Sequence, residues 1–228
     1  MHEIRFCQHD ELNLLQDFLT KHWSENHVFT SSTKLLQWQH VNIKDKIINF
    51  VVAYNKKSGE FDAILGFIPT RQYDFNIKNR DIWLAIWKVK EVFASTGIGL
   101  QVLVFLNSNY KASSVGVLGV SEDAMKIYKA FRYKTGILNH FYIKNDSFTD
   151  YSIASFNKIN NVTHSTNSNI DIKQITDKEF LSSNVSYQYT PYKTKDYYIN
   201  RYYNNSFYEY TFNAIVIKNT IIGVFITR

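Results

Sequence analysis

Cysteine is almost absent from this chain: Cys7 is the only one in 228 residues. Neither an internal disulfide nor a cysteine-built zinc site is therefore possible within it. No apolar stretch reaches the length of a bilayer span. Met1–Glu11 carries charges where a secretory signal needs an apolar core. These absences predict a soluble, cytoplasmic protein in a reducing compartment, without a membrane partner or a bound metal. Basic residues exceed acidic ones, giving a formal charge of +6, yet no run of Lys and Arg forms a nucleic-acid arm. The expectation is no nucleic-acid partner, with a field that still favours a phosphate-rich small molecule. Proline is scarce at 2 and glycine modest at 8, so each glycine pair stands out.

What the chain has in quantity is aromatic residues, with 17 Phe and 16 Tyr. They suit sheets and half-buried faces and provide ample material for a core. Glu3–Cys7 reads as an edge strand. Asp10 reads as an N-cap for a helix in which Leu12, Leu15, Phe18 and Leu19 recur at helical spacing. The stretch 23–33 reads as irregular and Thr33–Val41 as a second helix. Ile47–Tyr54 and Phe61–Ile68, joined by the polar turn Asn55–Glu60, read as a hairpin. Asp81–Val92 reads as a long strand with Trp83 and Trp87 on one face by period 2. Strands at Ser114–Val120 and Ile137–Lys144 flank a helix Glu122–Phe131 capped by Ser121.

One constellation carries chemistry. The long strand runs into Thr96-Gly97-Ile98-Gly99, and Leu100–Leu106 reads as an apolar helix. Glycines at alternate positions let a backbone turn tightly and point successive N–H groups outward. At a helix N-terminus those groups and the helix dipole attract an anion, here of pyrophosphate size. A dinucleotide fold would need a third glycine, and a phosphate loop would need Gly-Lys-Ser/Thr; both are missing. The helix 122–131 places Ala124, Ile127, Tyr128 and Phe131 on one stripe.

Together these residues resemble the GNAT acetyltransferase superfamily. Gly97 and Gly99 match its Gly-x-Gly signature. Ala124, Ile127, Tyr128 and Tyr133 match its Asn-x-x-Ala-x-x-Leu-Tyr-x-x-x-Gly-Phe signature. Ala94, Ser121 and Arg132 depart from it, standing where Arg or Gln, Asn and Gly are usual. The resemblance implies an α/β (α+β) fold, with a central, mixed but mostly antiparallel twisted sheet and flanking helices. It implies acetyl-CoA or another acyl-CoA as substrate. Lys88, Val89, Lys90, Ser95, Thr96, Gly97, Ile98, Gly99, Leu100 and Tyr128 would bind it. A backbone amide near Val89 would polarise the thioester. Tyr128 falls where the family protonates the departing thiolate. His140, His27 and Glu91 are the candidates for the base that takes a proton from the amine, with the two histidines ranked above Glu91 because histidine titrates near neutral pH.

More loosely, Lys21–Val28, Leu65–Thr70, Trp83–Lys88 and Leu138–Tyr142 resemble bacterial N-acyltransferases of surface-polysaccharide pathways that act on amino-sugar nucleotides. The acceptor would then be a small amine, a nucleotide-linked amino sugar, and the protein a monomer or homodimer. The alternatives are a protein or small amine as acceptor, or a non-catalytic binding module. Residues 170–228 are shaped like a partial second copy of the start. Ala63–Arg71 and Thr220–Arg228 align without a gap, with glycine, threonine and arginine in register. The expected organisation is a GNAT domain at 1–156, a linker at 157–169 and a partial repeat at 170–228.

Overall fold

The computed structural model describes residues 1–139, 147 and 169–228. They form two compact units, Met1–Leu118 with Asp171–Arg228, and Gly119–Ile170.

In the first unit, β1 (His2–Gln8) leads through a 3-10 turn into α1 (Leu12–His22). The turn begins earlier than Asp10 suggests, because the Gln8 N–H is taken by the Glu11 carboxylate at 2.8 Å. The stretch read as irregular holds a short helix, α2 (Val28–Ser31), before α3 (Thr33–His40). Two side chains explain the break. His27 accepts the Phe29 N–H and Ser32 accepts the Leu35 N–H, so each segment has its own cap. The strands β2 (Val41–Asn42), β3 (Ile47–Asn55) and β4 (Glu60–Pro69) follow. The last two are buried for most of their length, as continuous apolar runs between covered faces should be.

The strand β5 (Ile82–Val89) ends sooner than expected, and a 3-10 turn at Glu91–Phe93 leads to α4 (Ile98–Tyr110). This helix is a turn longer than its apolar run, and it buries Ile98, Val102, Leu103 and Leu106 on one stripe. The short β6 (Val115–Val117) pairs with β5 over Ile82–Leu84 only. The sheet order is β1-β3-β4-β5-β6, with β2 on β3; its pairings are antiparallel except β5 with β6, which is parallel. The fold class is thus mixed α/β, a mixed and mostly antiparallel sheet with flanking helices.

One expectation about β5 is corrected. Leu65 pairs with Trp87 and Phe67 with Leu84, so three steps on β5 oppose two on β4. This bulge reverses the alternation. Trp83 shares the face of its partner Ile68, and Trp87 shares that of Leu65, the opposite one. Accordingly, Trp83 packs with Ile68 and Tyr197, while the Trp87 ring lies beside Gly99 of α4.

In the second unit α5 (Glu122–Ala130) is capped by Ser121, which accepts the Ala124 N–H. Arg132 ends it at φ +61°, a conformation that favours glycine. Ile137–Asn139 have no regular structure, and the rest of the strand expected there lies outside the described residues. Most of the expected linker lies outside them too.

The C-terminal stretch of the first unit contains β7 (Asp171–Gln174), α6 (Asp177–Ser182), α7 (Lys195–Tyr198), β8 (Thr211–Ile217) and β9 (Thr220–Thr227). Thr176 rather than Asp177 caps α6, exchanging bonds with Glu179. The strands form a second antiparallel sheet in the order β7-β8-β9. Gly66 pairs with Phe50 in the first sheet, and Gly223 pairs with Ile215 in the second. The stretch docks on the first sheet through buried carboxylates. Asp81 accepts the Tyr192 N–H and the Ser114 hydroxyl, and Asp74 accepts the Thr194 hydroxyl.

Candidate active site

The glycine turn begins where β5 leaves the sheet. That strand end is pinned by charge: the Lys90 ammonium lies 2.8 Å from Glu60 and 2.9 Å from Asp62. Asp62 is buried, and it also holds His2 at 2.7 Å and the Asn55 amide at 2.8 Å. Burial pushes its carboxyl up, but hydrogen bonds from Lys90, His2 and Asn55 outweigh that and leave it below the usual range. Lys90 is thus committed to the chain, while among the described residues the one carboxylate within 4 Å of Lys88 is the solvated Glu91, at 3.9 Å.

From there the chain winds through Glu91–Phe93, and Ala94 and Thr96 donate their N–H groups back to Glu91 and Phe93. Gly97 then takes φ +78°, the left-handed region open to glycine, and its carbonyl accepts the N–H of Leu100 and Gln101. The N–H groups of Ser95, Gly97, Ile98 and Gly99 have no backbone acceptor among the described residues. Four donors therefore cluster at the positive end of a 13-residue helix. A Cβ on Gly99 would stand 2.8 Å from Val89 Cγ2. Glycine is what lets α4 approach β5 so closely. Beyond Gly97 a Cβ would meet nothing within 4 Å, so the turn is open on that side. Donors so placed at a helix N-terminus attract an anion.

Tyr128, in the other unit, is buried on α5, and its ring meets that of Tyr133 edge-on at 5.5 Å. Burial pushes its phenol up to about 12. It is therefore a neutral proton donor across the physiological range. His27 caps α2 with its Nδ1, which accepts from Phe29 at 3.2 Å. A neutral imidazole has one lone pair on its ring nitrogens, and here it is in use. Desolvation also lowers the pKa of this histidine. His140 lies outside the described residues. Among the described residues no group of three or more His, Cys, Asp or Glu could hold a metal ion, and no helix is long and apolar enough to cross a membrane.

Reading the sequence did not single out Lys193. Its ammonium lies 5.5 Å from the Trp83 ring, 5.1 Å from Tyr187 and 5.8 Å from Tyr197. Burial and the nearby Arg201 guanidinium lower its pKa. This cluster faces the side of β5 opposite Trp87. The tyrosine-rich run from Tyr187 to Tyr203 was its visible signal.

No protein-family model matches the chain, and no curated protein matches it. Among solved structures it is similar to acetyltransferases. An aminoglycoside N-acetyltransferase in complex with CoA is 15% identical, with a TM-score of 0.45 over 63% of this chain and 95% of that one. A ribosomal-protein-alanine N-acetyltransferase from Brucella melitensis is 13% identical, with a TM-score of 0.43 over 64% of this chain and 100% of that one. A GNAT family N-acetyltransferase from Escherichia coli in complex with CoA is 14% identical, with a TM-score of 0.43 over 58% of this chain and 68% of that one.

Proposed function

We propose that the protein is an acyl-CoA-dependent N-acyltransferase acting on a primary amine. The observation that carries this reading is the turn between β5 and α4, where four N–H groups without backbone acceptors meet a helix N-terminus. The Gly-x-Gly and Ala124–Tyr133 signatures of the GNAT superfamily point the same way. An acyl-CoA supplies its acyl group already activated as a thioester. Ser95, Gly97, Ile98 and Gly99 bind the pyrophosphate through their backbones. The pairing of β5 with β6 stops at Leu84 and Val117, and this reading puts the pantetheine arm beyond that point. The amine attacks the thioester carbonyl, the carbon–sulfur bond breaks, and Tyr128 gives its proton to the thiolate. His27 spends its lone pair on Phe29 and Glu91 stands in solvent, so His140 is the base in this reading.

The acceptor proposed is an amino sugar carried on a nucleotide. Its subsite is the Trp83 face of β5, where aromatic rings suit a sugar. Lys193 and Arg201 there repel a polycation and favour an acceptor bearing phosphates. Residues 170–228 are in this reading a partial second repeat that walls this face.

The test is a thioester-cleavage assay with acetyl-CoA and a panel of amines. Tyr128→Phe should lower turnover about a hundredfold while leaving CoA affinity nearly intact. Unchanged turnover would make Tyr128 a packing residue. No CoA binding by the unmodified protein in calorimetry would sink the reading altogether.

A further inference from the structure

The far end of α4 carries a second concentration of positive charge that the reading above does not use. Lys44, Arg71, Arg80 and Tyr110 line a recess of about 220 Å³ there. The Arg80 guanidinium lies 4.5 Å over the Tyr110 ring. Both Arg80 and Arg71 stand close enough to pull the Tyr110 phenol down, against the burial that raises it. Among the described residues neither arginine has a carboxylate within 4 Å. Among the described residues Asp45 is the single acid lining the recess, and its carboxylate accepts from the Asn42 amide at 2.8 Å. Three cations thus converge on one carboxylate in a concavity. That arrangement raises self-repulsion and focuses the field on whatever enters. Two planar guanidinium forks suit the oxygens of phosphate groups.

The recess opens into a groove of about 480 Å³ lined by Trp38, Val41 and Ile43, and Asn42, Gln72 and Phe75 belong to both. Phe75 is 71% exposed and Ile43 is 82% exposed. A phenylalanine that open to water, at the mouth of a cationic recess, gains by having its face covered by a flat ring.

We propose that this recess and groove bind a nucleoside diphosphate, with its phosphates between Arg71 and Arg80 and its base on Phe75. The site is separate from the glycine turn. Tyr110 and Gly97 stand at opposite ends of α4, a 13-residue helix, so about 20 Å divides them.

Titration calorimetry with UDP, inorganic pyrophosphate and uridine tests this on the full chain and three variants. UDP should bind the full chain, and bind at least about tenfold more tightly than uridine. The double variant Arg71→Ala/Arg80→Ala should weaken UDP at least tenfold. Phe75→Ala should bring UDP down to the affinity of pyrophosphate. Gly97→Val, which spoils the turn at the other end of α4, should leave UDP binding in place. An unchanged UDP affinity in the double arginine variant overturns the proposal. So does loss of UDP binding in Gly97→Val alone, which would put the nucleotide on the glycine turn. Equal affinity for UDP and pyrophosphate in the unmodified chain overturns the nucleotide assignment. Because acyl-CoA turnover is not read in any arm, failure here leaves the transferase reading standing.

Discussion

Gly97 and Gly99 are two residues apart and are glycine for different reasons. Gly97 needs the left-handed backbone, with open space around it, whereas Gly99 has an ordinary backbone and no room for a Cβ. Gly97→Ala should therefore cost about 1–2 kcal/mol of stability, and Gly99→Ala about 1–3 kcal/mol by pushing α4 off β5. Urea unfolding measures these costs apart from any loss of the proposed CoA binding, which calorimetry reads. Arg132 holds a left-handed conformation in the very place where the family pattern has glycine. Arg132→Gly should stabilise the protein, by about 0.5–1 kcal/mol, seen as a higher thermal midpoint; a lower one would mean that its side chain holds the end of α5. The turn at Gly97 was legible in the sequence because a glycine pair between a strand and an apolar run marks one. The engagement of His27 was not, since a cap depends on where a helix breaks, and α2 has only four residues.

The strands and helices of the first sheet could be read almost throughout, because hydrophobic period and turn residues dictate them locally. The bulge in β5 could not. It arises from pairing with β4, and strict alternation put Trp83 and Trp87 together when they face apart. The docking of 185–208 on the first sheet was also hidden, since its contacts join residues more than a hundred positions apart. Asp81 is the hub of that docking: fully buried, it accepts from Ser114 on one oxygen and Tyr192 on the other. Asp81→Ala should cost about 2–3 kcal/mol, as expected when buried partners of a charged acceptor are orphaned. Chemical denaturation reads the loss, and a cost under about 0.5 kcal/mol would show the docking to be incidental.

For the molecule as a whole, buried ionisable groups set two pH limits. His40 is fully buried against Phe50 and Phe29, and desolvation holds its pKa down at about 3. The unfolded chain takes up this proton near pH 6.5 and the folded chain does not. Its contribution is complete above pH 6.5 and is lost, at about 1.4 kcal/mol per unit, as pH falls toward 3. His40→Leu should flatten the stability profile between pH 6 and 4; an unaltered slope would assign acid sensitivity elsewhere. At the other limit, burial pushes Tyr128 and Tyr197 up to about 12. Unfolded tyrosines ionise near 10, so stability present below pH 10 should decline as pH rises from 10 through 12.

The reversal in β5 also supplies a measuring device. Because one strand turns a tryptophan to each side of the sheet, two of the protein's four tryptophans, four residues apart, sample different compartments. Trp87 stands beside the glycine turn and Trp83 beside Lys193. If the proposed function holds, in single-tryptophan variants emission from Trp87 should answer to CoA and emission from Trp83 to the amine. The order in which two such substrates arrive would then be visible from a single β-strand, without a label.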